Sequence, residues 1–226
     1  MANPIMAANE RAITDALSSL QEINYKTASV SIPTMLASGK FDASVYTPAD
    51  STTTEAKGIG RHLVFDNPDP DDPLSMFVFA FGPGQKTPIH DHNVECTVTV
   101  IDGVISEIYY KQIGDSNFAK LESCADRATF DIKRDDLDGL EALIHQLKRC
   151  KYYGDGISRT FHIYKMRAKD IDFNGNEIVN RNVNRTYEKY TSDKKERGTR
   201  VYEGRLFKAE PNAITSADEA GCSYNI

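Results

Sequence analysis

The feature that most limits how this chain can fold is the stretch from Gly82 to Gly103, GPGQKTPIHDHNVECTVTVIDG, entered through the apolar run Met76 to Phe81. MFVFAF is short and aromatic-rich, and turn residues bound it on both sides, so it reads as a buried strand. Gly82-Pro83-Gly84 turns the chain, and Pro88 re-extends it by fixing its own φ and biasing the residue before it. His90 and His92 then flank Asp91. In an extended segment both imidazoles lie on one face and Asp91 on the other. The chain has only five histidines, and two neutral imidazoles on one face of a strand are half of a metal site.

Around this stretch the texture is β. RHLVF is a short strand, and the acidic proline turn NPDPDDP follows it. ECTVTVID and VISEIYYKQI flank Asp102-Gly103, which predicts a hairpin. One or two strands are expected between Leu121 and Lys133. Another is expected over Ile157 to Met166, with Thr160, His162 and Tyr164 on one face. Upstream, Ile13, Ala16, Leu17, Leu20 and Ile23 share a helical face, so residues 8–23 predict an amphipathic helix. A second helix is expected after Pro33, through Met35 and Leu36, ending at Gly39. Residues 47–57 read as loop. The segment DLDGLEALIHQLKRCK suits a helix by the spacing of Leu137, Leu140, Ile144 and Leu147, yet LIHQLK also alternates as a strand, and periodicity leaves both open. After Lys169 the chain is polar, with Val201-Tyr202 and Leu206-Phe207 as apolar anchors, and an extended surface tail is expected. Many short strands separated by turns predict a mainly β, antiparallel barrel or double-sheet roll in one domain. Its parts are N-terminal helices over 1–46 packed outside, a barrel core over 58–169 and a C-terminal extension over 170–226.

Composition narrows the function classes. The 226 residues carry 27 basic and 33 acidic side chains, a net charge of −6, which argues against a nucleic-acid footprint. No apolar run is long enough to span a bilayer, and the N-terminus lacks the charged and apolar segments of a secretory signal. Cys96, Cys124, Cys150 and Cys222 form no CxxC pair or dense framework, so reduced thiols and a cytoplasmic protein are expected. A monomer is expected.

Set against the cupin signature G-x5-H-x-H-x3,4-E-x6-G, the chain fits through Gly84, His90, His92 and Gly103, with Cys96 standing where the signature has Glu. The sequence also resembles cysteine dioxygenase, a thiol-oxidising cupin family whose mammalian-type members carry GPG-xxx-PIHDH and a cysteine at the place of Cys96. The likeness covers residues 58–166 and is strongest at 82–103 and 160–164. It implies a cupin-type antiparallel jelly roll holding Fe(II) on His90, His92 and a third histidine before a Ser-x-His-x-Tyr segment. Thr160, His162 and Tyr164 have the form of that segment, with Thr for Ser, and His145 becomes the third-ligand candidate. By residue type alone His162 competes for that role. The family picture gives His162 a supporting task instead, which also makes the ambiguous segment a strand.

The resemblance further implies that Arg61 receives the substrate carboxylate and that Cys96 and Tyr164 are the pair that forms a thioether crosslink in mammalian-type members. It departs in two places: Ile59 stands where the family has tyrosine, and His92 to Cys96 is one residue shorter. Glu95 faces away if its strand is regular. His62 and the other three cysteines read as structural. The implied activity is conversion of L-cysteine and dioxygen to cysteine sulfinic acid, with Tyr164, His162, Thr160 and Cys96 as the catalytic group. The alternatives are oxidation of another small thiol (3-mercaptopropionate or mercaptosuccinate), a non-catalytic metal-binding cupin, or a cupin isomerase or hydrolase that uses its metal as a Lewis acid.

Overall fold

The computed structural model describes residues 3–49, 58–67, 69, 71–90, 94–112, 118–126, 129–132, 144–149, 155–171, 186–189 and 204–206. Two helices come first. In α1, Pro4–Ser18, Asn3 caps the first turn by accepting from the Ile5 amide at 2.9 Å, and Pro4 sits where its missing N–H is not needed. This start signal outweighs the apolar spacing, so the helix begins before residue 8. It also stops at Ser18, leaving Ile23 outside it and exposed. The second helix, α2, spans Tyr25–Ala37 and encloses Pro33 rather than following it. A reciprocal cap between Asn24 and Thr27 launches it upstream. Burial of Tyr25, Ala28, Ile32 and Met35 then holds it past the proline, which forfeits an intrahelical hydrogen bond. Gly39, at φ +74°, follows the end of the helix, as predicted.

Among the described residues eleven strands follow: β1 Gly60–Asn67, β2 Leu74–Phe81, β3 Ile89–His90, β4 Cys96–Asp102, β5 Ser106–Gln112, β6 Phe118–Asp126, β7 Thr129–Ile132, β8 Ile144–Lys148, β9 Ser158–Tyr164, β10 Thr186–Lys189 and β11 Gly204–Leu206. They form a five-stranded sheet in the order β1-β2-β9-β4-β7 and a six-stranded sheet in the order β10-β3-β8-β5-β6-β11. Pairing is antiparallel except where β10 and β11 run parallel to β6. This is the mainly β, largely antiparallel double-sheet architecture with external helices that the sequence predicts. The segment around His145 is a strand. Two pieces of the expected tail add strands to the second sheet, and β10 touches both β3 and β6. Val201-Tyr202 and Phe207 lie outside the described residues.

The predicted hairpin at Asp102-Gly103 does not form, because β4 and β5 belong to different sheets. A two-residue type I′ turn needs positive φ at both central positions, and only Gly103 has it, at +72°. The chain instead turns a corner. Ser158 Oγ accepts from the Val104 amide and donates to the Val104 carbonyl, both at 3.0 Å, and a Cβ on Gly103 would collide with Ser158.

The five-stranded sheet is covered on both faces, which is why β2 and β9 are buried along their whole length. One face packs Met76, Val78, Phe161 and Ile163 against Ile13, Leu17, Ala28 and Ile32 of the helices. The other packs Phe77, Phe79, Phe81, Cys96, Val98 and Tyr164 toward Ile105 and Leu147. Burial of a large aliphatic or aromatic side chain contributes about 1.5–3 kcal/mol, so packing on both faces stabilises the five-stranded sheet.

Candidate metal centre

The Gly82–Gln85 turn sets the position of β3 and β8. Gly84, at φ +80°, adopts the left-handed conformation the turn requires. Its amide donates to the Arg149 carbonyl at 2.8 Å, and the Arg149 amide returns a bond to Gln85. Two residues on, Thr87 exchanges two hydrogen bonds with Leu147: its amide donates to the Leu147 carbonyl at 2.9 Å, and its hydroxyl accepts from the Leu147 amide at 3.0 Å. The turn is thereby zipped to the end of β8, and His90 comes directly opposite His145 in the β3–β8 register.

The two imidazoles lie with ring centroids 4.6 Å apart, and both are buried. His90 Nδ1 donates to the Pro88 carbonyl at 2.8 Å, and His145 Nδ1 donates to Glu107 Oε1 at 2.9 Å. Each of these bonds occupies Nδ1 and fixes the ring orientation, so that Nε2, the nitrogen a metal takes, points away from that partner. By donor chemistry the pair therefore fits a metal ion. His92 lies outside the described residues, and among those described no group of three His, Cys, Asp or Glu side chains is arranged to hold an ion.

The opposite wall is β9 and its neighbours. Thr160 Oγ1 lies 2.7 Å from His162 Nε2, and the Tyr164 hydroxyl lies 3.4 Å from His162 Nδ1, so one line of polar contacts runs along the strand. Both nitrogens of His162 are engaged along its own strand, and Phe79 stacks on its ring at 4.1 Å. Burial lowers the pKa of His162 to about 3, with the nearby His145 and His90 adding to the effect, so the ring is neutral. Cys96, fully buried, is directly opposite Tyr164 in the β4–β9 register. Burial first, and then Cys96, push the Tyr164 pKa well up, while Arg61 acts the other way. Arg61, half-buried on β1, has its own proton affinity lowered by burial and supported by Tyr164.

Other predicted residues lie away from this wall. His62 Nε2 contacts the Thr47 carbonyl at 2.9 Å, and its ring packs on Tyr46. Glu95 turns outward to Lys165, 2.9 Å away. Cys150 and Cys222 lie outside the described residues, as does the Cys124 side chain. The residue that sequence reasoning missed is Glu107. Alternation along β5 places it beside Ile105 on the inward face, but Ile108 and Tyr110 make the other face equally apolar, so the pattern did not mark it.

No protein-family model and no curated protein matches the chain. Among solved structures it is similar to a cupin-2 domain protein from Rhodospirillum rubrum at 12% identity, covering 54% of this chain and 67% of that one with a TM-score of 0.35. It is also similar to a cupin 2 conserved barrel domain protein from Rhodopseudomonas palustris at 16% identity, covering 57% and 75% with a TM-score of 0.37. A third is the polyketide cyclase RemF from Streptomyces resistomycificus, at 17% identity, covering 56% and 79% with a TM-score of 0.36.

Proposed function

We propose that the protein is an iron-dependent thiol dioxygenase that converts L-cysteine and dioxygen to cysteine sulfinic acid. The observation that carries this reading is two polar groups on sheets that pack together, Leu147 of one lying in the same buried cluster as Phe77, Cys96 and Tyr164 of the other. Paired imidazoles, each with Nδ1 hydrogen-bonded, stand on one sheet, and the line Thr160–His162–Tyr164, with Cys96 beside it, stands on the other.

His90, His92 and His145 would hold the metal, and His162 is the poorer ligand because both of its nitrogens are engaged within β9. Held by uncharged nitrogens, Fe(II) would supply a cationic, open-faced centre that lowers the pKa of a substrate thiol and activates dioxygen. Both oxygen atoms end on sulfur: the thiol loses four electrons, dioxygen gains four, and no external reductant is needed.

The chain's own residues would bind and orient the substrate. Arg61 presents a planar fork to the carboxylate, and a bound anion would offset the desolvation of its guanidinium. Tyr164 remains a protonated phenol because burial raises its pKa, so it donates a hydrogen bond. His162, held neutral, accepts from Tyr164 through Nδ1 and donates to Thr160 through Nε2, which fixes the direction of the phenol. Phe77 and Phe79 keep this wall dry. The cross-strand placement of Cys96 and Tyr164 suits the thioether crosslink, in which a C–S bond forms and two hydrogens pass to dioxygen as the oxidant. Intact mass would then show a species lighter by two hydrogens.

A second reading has a specific observation behind it. Ile59, where the family has tyrosine, is buried among Phe77, Phe79 and Phe81, which makes that end of the inner wall apolar and suits a thiol other than cysteine. Oxygen uptake by Fe(II)-loaded protein over a panel of L-cysteine, 3-mercaptopropionate and mercaptosuccinate, with the product weighed, decides between the two. Uptake with another thiol alone replaces the substrate, and no uptake with any thiol defeats the dioxygenase reading.

A further inference from the structure

The two described imidazoles are not equivalent donors. His90 gives its Nδ1–H to the Pro88 carbonyl, a dipole, whereas His145 gives its Nδ1–H to the Glu107 carboxylate. Glu107 and His145 are both fully excluded from solvent. On β5, Glu107 is in register with Leu147 of β8, two pairs along from His145 and on the same face, so it reaches the ring diagonally across the strand pair. A buried carboxylate is costly unless it is hydrogen-bonded and charge-paired, and the His145 Nδ1–H is one of the partners that hold Glu107 in place. A carboxylate accepting from Nδ1–H also makes Nε2 more electron-rich and blocks rotation of the ring.

We propose that Glu107 is the positioning residue of the metal centre. It holds His145 in the tautomer and orientation that aim Nε2 at the metal, and it places a fixed negative charge one imidazole away, so that the donor set is neutral at its surface but anionic just behind it. This inference rests on the reading of His145 as a ligand.

The test is Co(II) binding to the folded full-length protein under argon, read by titration and by the visible ligand-field spectrum, for wild type, Glu107→Gln, Glu107→Leu and His145→Ala. Glu107→Gln keeps an acceptor for Nδ1–H but removes the charge, and is expected to weaken Co(II) several-fold and shift the bands. Glu107→Leu removes both and is expected to weaken it about 10–100-fold. If Glu107 only ties β5 to β8, its variants lower the melting temperature of the metal-free protein but leave affinity and spectrum as in wild type. That result overturns the proposal, and where Glu107→Leu fails to fold, an unchanged Glu107→Gln overturns it alone. His145→Ala separates the two levels. If it loses Co(II) while the Glu107 variants do not, only the positioning role falls. If it too binds Co(II) as wild type does, His145 is not a ligand and the metal reading falls with it.

Discussion

Along β9, Phe161 and Ile163 turn toward the helices while Thr160, His162 and Tyr164 turn toward the second sheet. The neighbouring strands divide in the same way. Met76 and Val78 of β2 pack with α1 and α2, and Phe77 and Phe79 line the inner wall. One set of strands therefore carries two layers that differ in kind. The helix side is mainly aliphatic and aromatic and its polar contacts, such as Tyr25 to Thr97 at 2.8 Å and Arg159 to the Tyr46 carbonyl, tie the layers together, whereas the inner side mixes aromatic rings with imidazole, phenol, thiol and guanidinium. The strand period of two makes this possible, because substitution at one position leaves the side-chain direction of its neighbours unchanged. Changes on the helix face should move stability and leave the chemistry alone; changes on the inner face should do the reverse.

The sharpest attempt to break that contrast is His90→Gln. It should lower Co(II) affinity by more than about 100-fold, beyond what loss of a supporting group does, while the unfolding midpoint of the metal-free protein moves little. A large drop in that midpoint with metal affinity intact would put His90 on the packing side. Next is Phe161→Ala, which removes a fully buried ring from the helix face and should lower the unfolding free energy by about 3–5 kcal/mol in urea. Its folded fraction should bind metal as wild type does. Arg61→Gln should raise KM for the thiol acid about 10–100-fold, the equivalent of a lost charge-assisted bond of about 1.5–3 kcal/mol, with a smaller effect on kcat. An equal effect on a thiol lacking the carboxylate would show that Arg61 acts through packing instead.

His162 sharpens the contrast through pH. Its pKa falls from 6.5 to about 3 in the fold, so between these values the unfolded chain binds the extra proton. Its contribution to stability is therefore whole above about pH 6.5 and declines as pH falls toward 3, by about 1.4 kcal/mol per pH unit. Urea unfolding of metal-free His162→Gln should show a shallower acid slope than wild type, and identical slopes would mean that the ring is protonated in the fold. The smallest effect is expected of Ile163→Val on the helix face, a loss of about 0.5–1.5 kcal/mol with activity unchanged.

What the sequence revealed follows the same division. Strand alternation and turn residues are local signals, so β1, β2, β4, β5 and β9 were legible, as was the common face of Thr160, His162 and Tyr164. The juxtaposition of His90 and His145 came only from resemblance, because a pairing across so many residues leaves no local trace. Asp102-Gly103 misled for the same reason: a turn dipeptide signals a reversal but not which sheet receives the next strand. Pro33 misled because tertiary packing held a helix that propensity alone would have ended. Glu107 was hidden because both faces of its strand are apolar, and only the presence of β8 shows which one is inside.

Arg159 reaches from β9 to the chain that follows the helices. Its Nε donates to the Tyr46 carbonyl at 2.7 Å, its guanidinium also meets the Ser44 carbonyl, and it pairs with Asp102 at the corner between the sheets. A single side chain thus rivets the leading segment to the hinge of the roll. Cutting away the first 46 residues would strip carbonyl acceptors from a mostly buried cation, so the helices and the strands should melt together in one transition rather than peel apart.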